Sequence, residues 1–569
     1  MTDINVLIKY NEWFANATDD LKRDLQEISD NHAEMTERFY QDLKFGTAGL
    51  RGKMEAGTNR MNIYTVGRAA AGLAETLEKK SVVIAYDNRL NSLLFAKTAA
   101  KILRDYGVEV YLFSEIAPTP MLSYAVRYLK CGAGIMITAS HNGYKYNGFK
   151  CYGADGCQMT DVAAGKVWDA MSGIEYFSLP ITDEEEILAF DDYKIVGEDV
   201  WEFYYNAVLA QRLNPYVFNL SDLKILYTPL NGTGAKVVEN IFKRCGVENL
   251  AWVEEQRVAD GYFTTCPEPN PEEKSAFDLA LKYAETVKPD LILATDPDAD
   301  RLGVMVAFGG EYKIIDGNEI GCLLLDYILE NKVAKGTLSH NPVAIKTVTT
   351  APMTEKIAAK YGCEIENLLV GFKYICERVE NLKSCGRDND FVFGFEESNG
   401  YLCGNYTGDK DGILAAMLVA EMAAFYKSKK MTLINRLRHL YYKHGSYQLE
   451  ICNLSFEGKS GAEKMKKLMT AFRENPFTEL AGKNVIQIDD YLKREKRNLR
   501  TGVLSEITLP PTNMLEFKFA DGCSLIMRPS GTEPKLKLYY NAVAETFTQG
   551  KASIAKMKEA MTSIIEELS

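Results

Sequence analysis

Three times along the chain, short apolar runs of strand character alternate with helix-length amphipathic stretches, and each series closes on an apolar run followed at once by a polar cluster. The first series places strands at 81–86, 108–113 and 134–137 and helices at 93–106 and 121–128. The second places strands at 224–227, 250–253 and 290–295 and helices at 235–245 and 276–286. The third runs from a strand at 342–347 through helices at 353–361 and 374–382 to a strand at 390–395. Strands alternating with helices of this length imply right-handed βαβ crossovers and mainly parallel sheets. The expectation is three similar α/β domains over 1–205, 206–316 and 317–444, the first preceded by a helical arm with helical periodicity at 6–15 and 17–29. Beyond 445 the alternation gives way to strands at 447–454, 485–488, 515–519, 524–527 and 536–540 and helices at 462–473 and 554–568, a smaller α+β domain over 445–569. Four units suit a chain of 569 residues, too long for a single core.

The three polar clusters fall where open parallel sheets bind ligands, just outside the carboxyl ends of their strands. The first, Thr138 to Lys150 (TASHNGYKYNGFK), puts the hydroxyl of Ser140, the imidazole of His141 and the amine of Lys150 in one loop. A serine there is a nucleophile or phosphoryl carrier if a neighbour activates it or balances its charge; the same residues also make an ordinary polar turn. The second is Asp296-Pro-Asp298-Ala-Asp300-Arg301. Two unit charges ~4 Å apart repel by roughly 4 kcal/mol at an effective dielectric of 20, so three such carboxylates call for protons or a cation. All-oxygen ligands favour a hard ion, Mg²⁺ in particular; the alternative is a surface turn. The third, Glu396-Glu-Ser398-Asn-Gly, offers an acceptor and a hydroxyl that suit neighbouring hydroxyls of a sugar, and equally forms a turn. Three strand ends of this kind point to one site assembled from three domains.

Three further segments add cations. Arg51 lies among glycines in Phe45 to Lys53 (FGTAGLRGK), where a close backbone and a guanidinium suit a phosphate. Lys410 precedes the apolar helix expected over 413–426, near a helix N-terminus where anions gather. Arg528 to Lys535 (RPSGTEPK) contains Ser530, Gly531 and Thr532, whose hydroxyls and N–H groups make either an anion nest or a hairpin turn. The formal charge of −12 argues against a nucleic-acid partner. The amino terminus lacks the apolar h-region of a signal peptide, and the stretch 413–426 is interrupted by Glu421 and too short for a bilayer, so no membrane partner and a cytoplasmic location are expected. Twelve scattered cysteines with no CxxC pair read as reduced thiols.

TASHNGYKYNGFK, DPDADR, GFEESNG and RPSGTEPK, in this order, resemble the four signature loops of the α-D-phosphohexomutase superfamily. GTAGLRG and Gly57 to Asn62 (GTNRMN) are most similar to its bacterial phosphoglucomutase branch. The resemblance implies a site in the central cleft, with Ser140 phosphorylated and its phosphate completing an Mg²⁺ site with Asp296, Asp298 and Asp300. It implies that Arg51 and Lys150 flank the phosphoryl group, with Lys150 transferring the proton and His141 beside the serine. It places Lys373, in Gly371-Phe-Lys373, and Lys410 at the sugar pocket, Glu396 and Ser398 on sugar hydroxyls, and Arg528, Ser530, Gly531 and Thr532 on the non-reacting phosphate, with Arg301 also among the substrate-binding residues. The implied reaction interconverts glucose 1-phosphate and glucose 6-phosphate, with glucose 1,6-bisphosphate as intermediate and activator. The expected partners are small-molecule sugar phosphates, for a monomer or homodimer. Phosphopentomutase, phosphomannomutase and glucose-1,6-bisphosphate synthase activities are the alternatives within enzymes, and a sugar-phosphate-binding regulator is the alternative outside them. Two positions depart from the commoner pattern: Gly143-Tyr144-Lys145 stands where many relatives have Pro-Pro-Asp, and Phe395 stands before Glu396 in place of glycine.

Overall fold

The computed structural model describes the whole chain except residues 1–3, 47–48, 351, 457, 531–534 and 569. It divides into two compact units, one formed by 1–340 with 372–433 and the other by 341–371 with 434–569.

In the first unit the amino-terminal arm holds three helices, Ile4–Asn16, Asp19–Glu27 and His32–Phe39, one more than the periodicity shows. The third is a short helix seated by tertiary contacts. Its Arg38 pairs with Asp24 at 2.7 Å and Glu34 at 3.0 Å. Trp13, from the first helix, packs edge-on against Phe39, Tyr64, Tyr176 and Phe177, with ring centroids 5.1–6.0 Å apart.

The first sheet comprises β1 (Leu50–Lys53), β2 (Ser81–Tyr86), β3 (Glu109–Leu112), β4 (Ala133–Ile137), β5 (Tyr146–Gly153) and β6 (Lys194–Ile195), in the order β1-β5-β4-β2-β3-β6. β2 pairs in parallel with β3 and β4. β2 and β4 are buried throughout, which is why they read as continuous apolar runs. β5 returns antiparallel to β4, and β1 pairs antiparallel with β5, Arg51 opposite Gly148. The expected thirteen-residue loop is therefore only a turn: Lys150 and Arg51 both sit on strands. With two glycines and no polar/apolar alternation, Tyr146–Gly153 carries no strand pattern of its own; its burial between neighbours makes it one. A Cβ at Gly148 would lie 2.5 Å from the Thr138 carbonyl oxygen and 2.7 Å from that of Leu50, so the hairpin closes only around a glycine.

The second sheet repeats this plan with β7 (Ile225–Thr228), β8 (Leu250–Trp252), β9 (Leu291–Thr295), β10 (Leu302–Phe308) and β11 (Glu311–Ile315), ordered β11-β10-β9-β7-β8. β7, β8 and β9 are parallel, while β10 and β11, absent from the sequence pattern, are antiparallel. The third segment contributes a parallel pair, β12 (Val343–Thr347) and β13 (Glu364–Leu368), to the second unit. To the first unit it contributes the hairpin β14 (Phe391–Glu396) and β15 (Gly400–Leu402). Each of the three polar clusters is thus the turn of a β-hairpin at a strand's carboxyl end.

The remainder of the second unit is an antiparallel sheet of β16 (Ser446–Ser455), β17 (Glu479–Leu480), β18 (Lys483–Asp490), β19 (Glu495–Asn498), β20 (Leu504–Glu506), β21 (Leu515–Phe519), β22 (Ser524–Pro529) and β23 (Lys535–Ala544). Its order is β16-β23-β22-β21-β18-β19-β20, with β17 beside β18. The helices Gly458–Glu474 and Phe547–Leu568 contribute Leu468, Phe472, Ile554, Met557 and Met561 to its core. All twelve cysteines are free and ten are buried. Among the described residues no helix is long and apolar enough to cross a membrane.

Candidate active site

Ser140 turns the β4–β5 hairpin in the left-handed region, φ +55°. Its N–H donates to Thr138 Oγ1 at 2.8 Å, and its Oγ donates to Asp296 Oδ2 at 2.9 Å and lies 3.2 Å from His141 Nδ1. Ala299, at φ +52°, turns the β9–β10 hairpin, its N–H donating to the Asp296 carbonyl at 2.9 Å. The two turns bring the serine hydroxyl onto the aspartate cluster.

Asp296, Asp298 and Asp300 are at most 1% exposed, and one carboxylate oxygen from each lies within 4.8 Å of the others. Asp298 Oδ2 accepts from Thr119 Oγ1 and from Lys150 Nζ, both at 2.8 Å. Asp300 Oδ2 lies 3.1 Å from Lys410 Nζ and 3.5 Å from Lys150 Nζ. Asp296 Oδ1 accepts from the Arg301 N–H at 3.0 Å. Asp298 Oδ1 and Asp300 Oδ1 are buried with no hydrogen-bond partner among the described residues. A buried carboxylate oxygen with no donor is costly, and a hard dication is the group whose chemistry answers it.

The charges respond to this crowding. Burial, then Asp298 and Asp300, push the Asp296 carboxyl well above the carboxylate range. Burial pushes Asp298 upward too, but Lys150 outweighs it and holds that carboxyl low. Burial works against the charge of Lys150, yet Asp298 and Asp300 hold it above an ordinary lysine. Lys410 is likewise raised against burial by Asp300, Asp409 and Glu396. Both lysines are ammonium donors here. Burial raises the Glu396 carboxyl at the end of β14, with Lys410, 3.8 Å away, and Arg301 pulling it back.

Ser140, His141, Lys150, Lys410, Glu396 and the three aspartates therefore form one connected cluster. Arg51 joins it through Asn142, its Nη1 donating to Oδ1 at 3.0 Å. Arg301 joins through its backbone, its side chain being engaged by Glu272. Ser398 is half-buried in the β14–β15 turn. Lys373 lies instead in an ion pair with Asp161, 2.6 Å away, which Tyr374 also reaches at 2.9 Å. In the second unit Arg528 lies on β22, which ends at Pro529, and Ser530 follows the strand, its N–H donating to the Lys535 carbonyl at 2.8 Å. Gly531 and Thr532 lie outside the described residues.

Sequence reasoning missed Thr119, which holds Asp298, and the buried pair Asp87 and Arg89 under the serine turn. Asp87-Asn88-Arg89 follows β2 directly. The strand-end rule that found the other clusters, applied to the first strand of the series as well as the last, would have found it.

Four family models match the chain in order. They are described as phosphoglucomutase/phosphomannomutase α/β/α domains I, II and III, over residues 42–176, 202–309 and 316–443, and the C-terminal domain, over 476–556. A phosphoglucomutase of Staphylococcus haemolyticus is 36% identical over 524 residues, 90% of this chain and 92% of that one. One from Staphylococcus aureus is 34% identical over 543 residues, 94% of this chain and 96% of its own. Among solved structures, a phosphoglucomutase/phosphomannomutase family protein from Burkholderia thailandensis superposes with TM-score 0.64 at 18% identity, covering 92% of this chain and 97% of that one. The open form of the exocytosis-sensitive phosphoprotein parafusin, a phosphoglucomutase of Paramecium, superposes with TM-score 0.65 at 18% identity, covering 93% and 95%. At that identity the superpositions speak to the fold alone.

Proposed function

Because the chain belongs to the phosphoglucomutase/phosphomannomutase family, we propose that it interconverts glucose 1-phosphate and glucose 6-phosphate through a phosphorylated Ser140 and a glucose 1,6-bisphosphate intermediate. One observation carries the reading: the Ser140 hydroxyl sits 2.9 Å from Asp296 in a cluster that also holds two buried carboxylate oxygens with no partner among the described residues.

The donor set fits Mg²⁺, which Asp296, Asp298, Asp300 and an oxygen of the phosphorylated serine would hold. Bound there, the ion supplies charge neutralisation for the transferring phosphoryl group. The chain's own residues do the rest by position. Ser140 Oγ gives the phosphoryl group to the free hydroxyl of a hexose monophosphate and later takes the other one back from the bisphosphate. Lys150, an ammonium, gives a proton to Ser140 Oγ as its bond to phosphorus breaks and regains one from the sugar hydroxyl that takes the phosphoryl group. Arg51 and His141 flank the phosphoryl group. Lys410, two residues ahead of the helix Gly412–Ser428, adds positive charge where the helix dipole is also positive. Glu396 and Ser398 take sugar hydroxyls, an arrangement either orientation of the bisphosphate satisfies. The resemblance assigns the non-reacting phosphate to Arg528, Ser530, Gly531 and Thr532, and gives Lys373 and Arg301 to the substrate.

The purified protein should turn over glucose 1-phosphate with a higher kcat/KM than mannose 1-phosphate or ribose 1-phosphate. Intact-mass measurement should show one labile phosphoryl group on Ser140 that sugar phosphate discharges. A clear preference for ribose 1-phosphate would reassign the substrate, and binding without phosphoryl exchange would favour a regulator.

A further inference from the structure

A serine in the left-handed region is strained and persists only where its surroundings impose it. What imposes it at Ser140 is a buried clamp. The Arg89 guanidinium donates through Nη2 to the Ser140 carbonyl, through Nη1 to the carbonyls of Gly143 at 3.0 Å and Tyr146 at 3.2 Å, and through Nε to Asp87 Oδ2 at 3.0 Å. Asp87 Oδ2 also accepts from Thr138 Oγ1 at 2.6 Å, and that oxygen accepts from the Ser140 N–H at 2.8 Å. Asp87 Oδ1 is occupied by Ser92 Oγ at 2.7 Å and the Arg89 N–H at 3.0 Å. Both sides of the Ser140 main chain, N–H through Thr138 and C=O through Arg89, are thus anchored to one carboxylate. The side chains of Arg89 and Asp87 are 0% exposed, and the Phe263 ring lies 4.9 Å from the guanidinium carbon.

A fully buried ion pair is often no more stabilising than apolar residues of the same volume, so stability alone is a poor reason for one here. The fork of donors, which a lysine cannot reproduce, explains it better. We propose that Arg89 is a positioning residue that, with Asp87 and Thr138, holds Ser140 in the left-handed conformation from which its hydroxyl faces the aspartates. Arg89 donates nothing to Ser140 Oγ: it acts through the backbone. The inference rests on the reading of Ser140 as the phosphoryl carrier.

The test uses the full-length protein with three variants. Thr138→Val removes the hydroxyl between Asp87 and the Ser140 N–H, Thr138→Ser keeps it, and Arg89→Lys keeps the charge and loses the fork. In Thr138→Val, kcat for glucose 1-phosphate and the rate at which glucose 1,6-bisphosphate phosphorylates Ser140 should fall on the order of 10- to 100-fold, with KM within about 3-fold, as for a misplaced reacting group. Thr138→Ser should recover most of both rates, and Arg89→Lys should lose at least as much as Thr138→Val. Wild-type kcat in Thr138→Val, or no recovery in Thr138→Ser, overturns the inference even if Arg89→Lys fails to fold. A wild-type protein that turns over no hexose phosphate sinks the functional reading instead. The clamp is then judged from a crystal structure of Thr138→Val, where an unchanged left-handed Ser140 overturns it.

Discussion

Ser140 and Ala299 each turn a β-hairpin at the carboxyl end of a buried parallel strand, at φ +55° and +52°. In the serine turn, both main-chain groups of Ser140 are bonded and traced back to one buried ion pair. In the aspartate turn, two buried carboxylate oxygens have no donor among the described residues. On the proposed mechanism the serine turn keeps its backbone still while a phosphoryl group comes and goes on Oγ, which suits a turn whose polar groups are bonded internally. On the same reading the aspartate turn is completed by a cation, which suits three buried carboxyl groups crowded together. The same hairpin serves as a rigid mount in one case and as an open ligand set in the other.

The hardest blow to this contrast falls on the serine side. Ser140→Ala should lower turnover by on the order of 10⁴-fold or more, as for removal of a nucleophile. Its melting temperature should stay close to wild type, because the clamp holds the backbone; a coupled assay and a thermal melt check the two halves.

Next in size is the response to metal. In the wild-type protein, Mg²⁺ at about 100 times its Kd should add ~2.7 kcal/mol of stability over a chelated sample. In Asp296→Asn that gain should disappear, while the chelated protein should be about as stable as wild type, since burial and the neighbouring carboxylates already favour the uncharged Asp296 carboxyl when no cation is bound. Thermal melts with and without chelator decide it. A persisting Mg²⁺-dependent rise in the variant would break the comparison.

Gly148→Ala sharpens it from the backbone. The new Cβ meets two main-chain oxygens at 2.5 and 2.7 Å, which no side-chain movement relieves. The cost should be about 1–3 kcal/mol, the usual range for overpacking. Urea unfolding should show that loss equally with and without Mg²⁺, because the damage lies in the serine hairpin.

The smallest effect is expected outside both turns. Burial raises the Asp161 carboxyl, but Lys373, with Tyr374, outweighs it and holds it below the ordinary range. A depressed folded-state pKa contributes stability above the unfolded value, near 3.9, and that stability is lost as pH falls through the folded one. With Lys373 4% exposed but the Asp161 side chain 57% exposed, solvent screens the pair from one side, and it is worth under about 1 kcal/mol. Asp161→Asn should therefore melt slightly below wild type at pH 7, and the gap should close toward pH 2. A deficit above ~1 kcal/mol would mean that the buried Lys373 depends on Asp161 as its counter-charge.

Most of the architecture was legible because buried parallel strands are continuous apolar runs and their helices have one apolar face. β2, β4, β7, β9 and β14 all stood out in this way. The return strands did not. β5 contains polar residues and two glycines, β1 is four residues long, and β10 follows the aspartates without a recognisable break. Their strand character comes from the neighbours they pair with. The clusters at Ser140, Asp296 and Glu396 could be found from strand ends, and so could Asp87 and Arg89 had the first strand been treated like the last, whereas Thr119 could not be ranked above other polar residues at helix starts.

The order of residues by itself determined which side chains can carry phosphate, cation and sugar, because hydroxyl, carboxylate and ammonium chemistry belongs to the residue and the apolar periodicity places it at a strand end. Only the tertiary structure decided which of those groups meet, which oxygens remain without donors, and that a buried arginine holds the serine by its backbone. Those outcomes depend on distances between segments more than 50 residues apart in the chain, such as Ser140 to Asp296 and Arg89 to Ser140, and no local pattern encodes them.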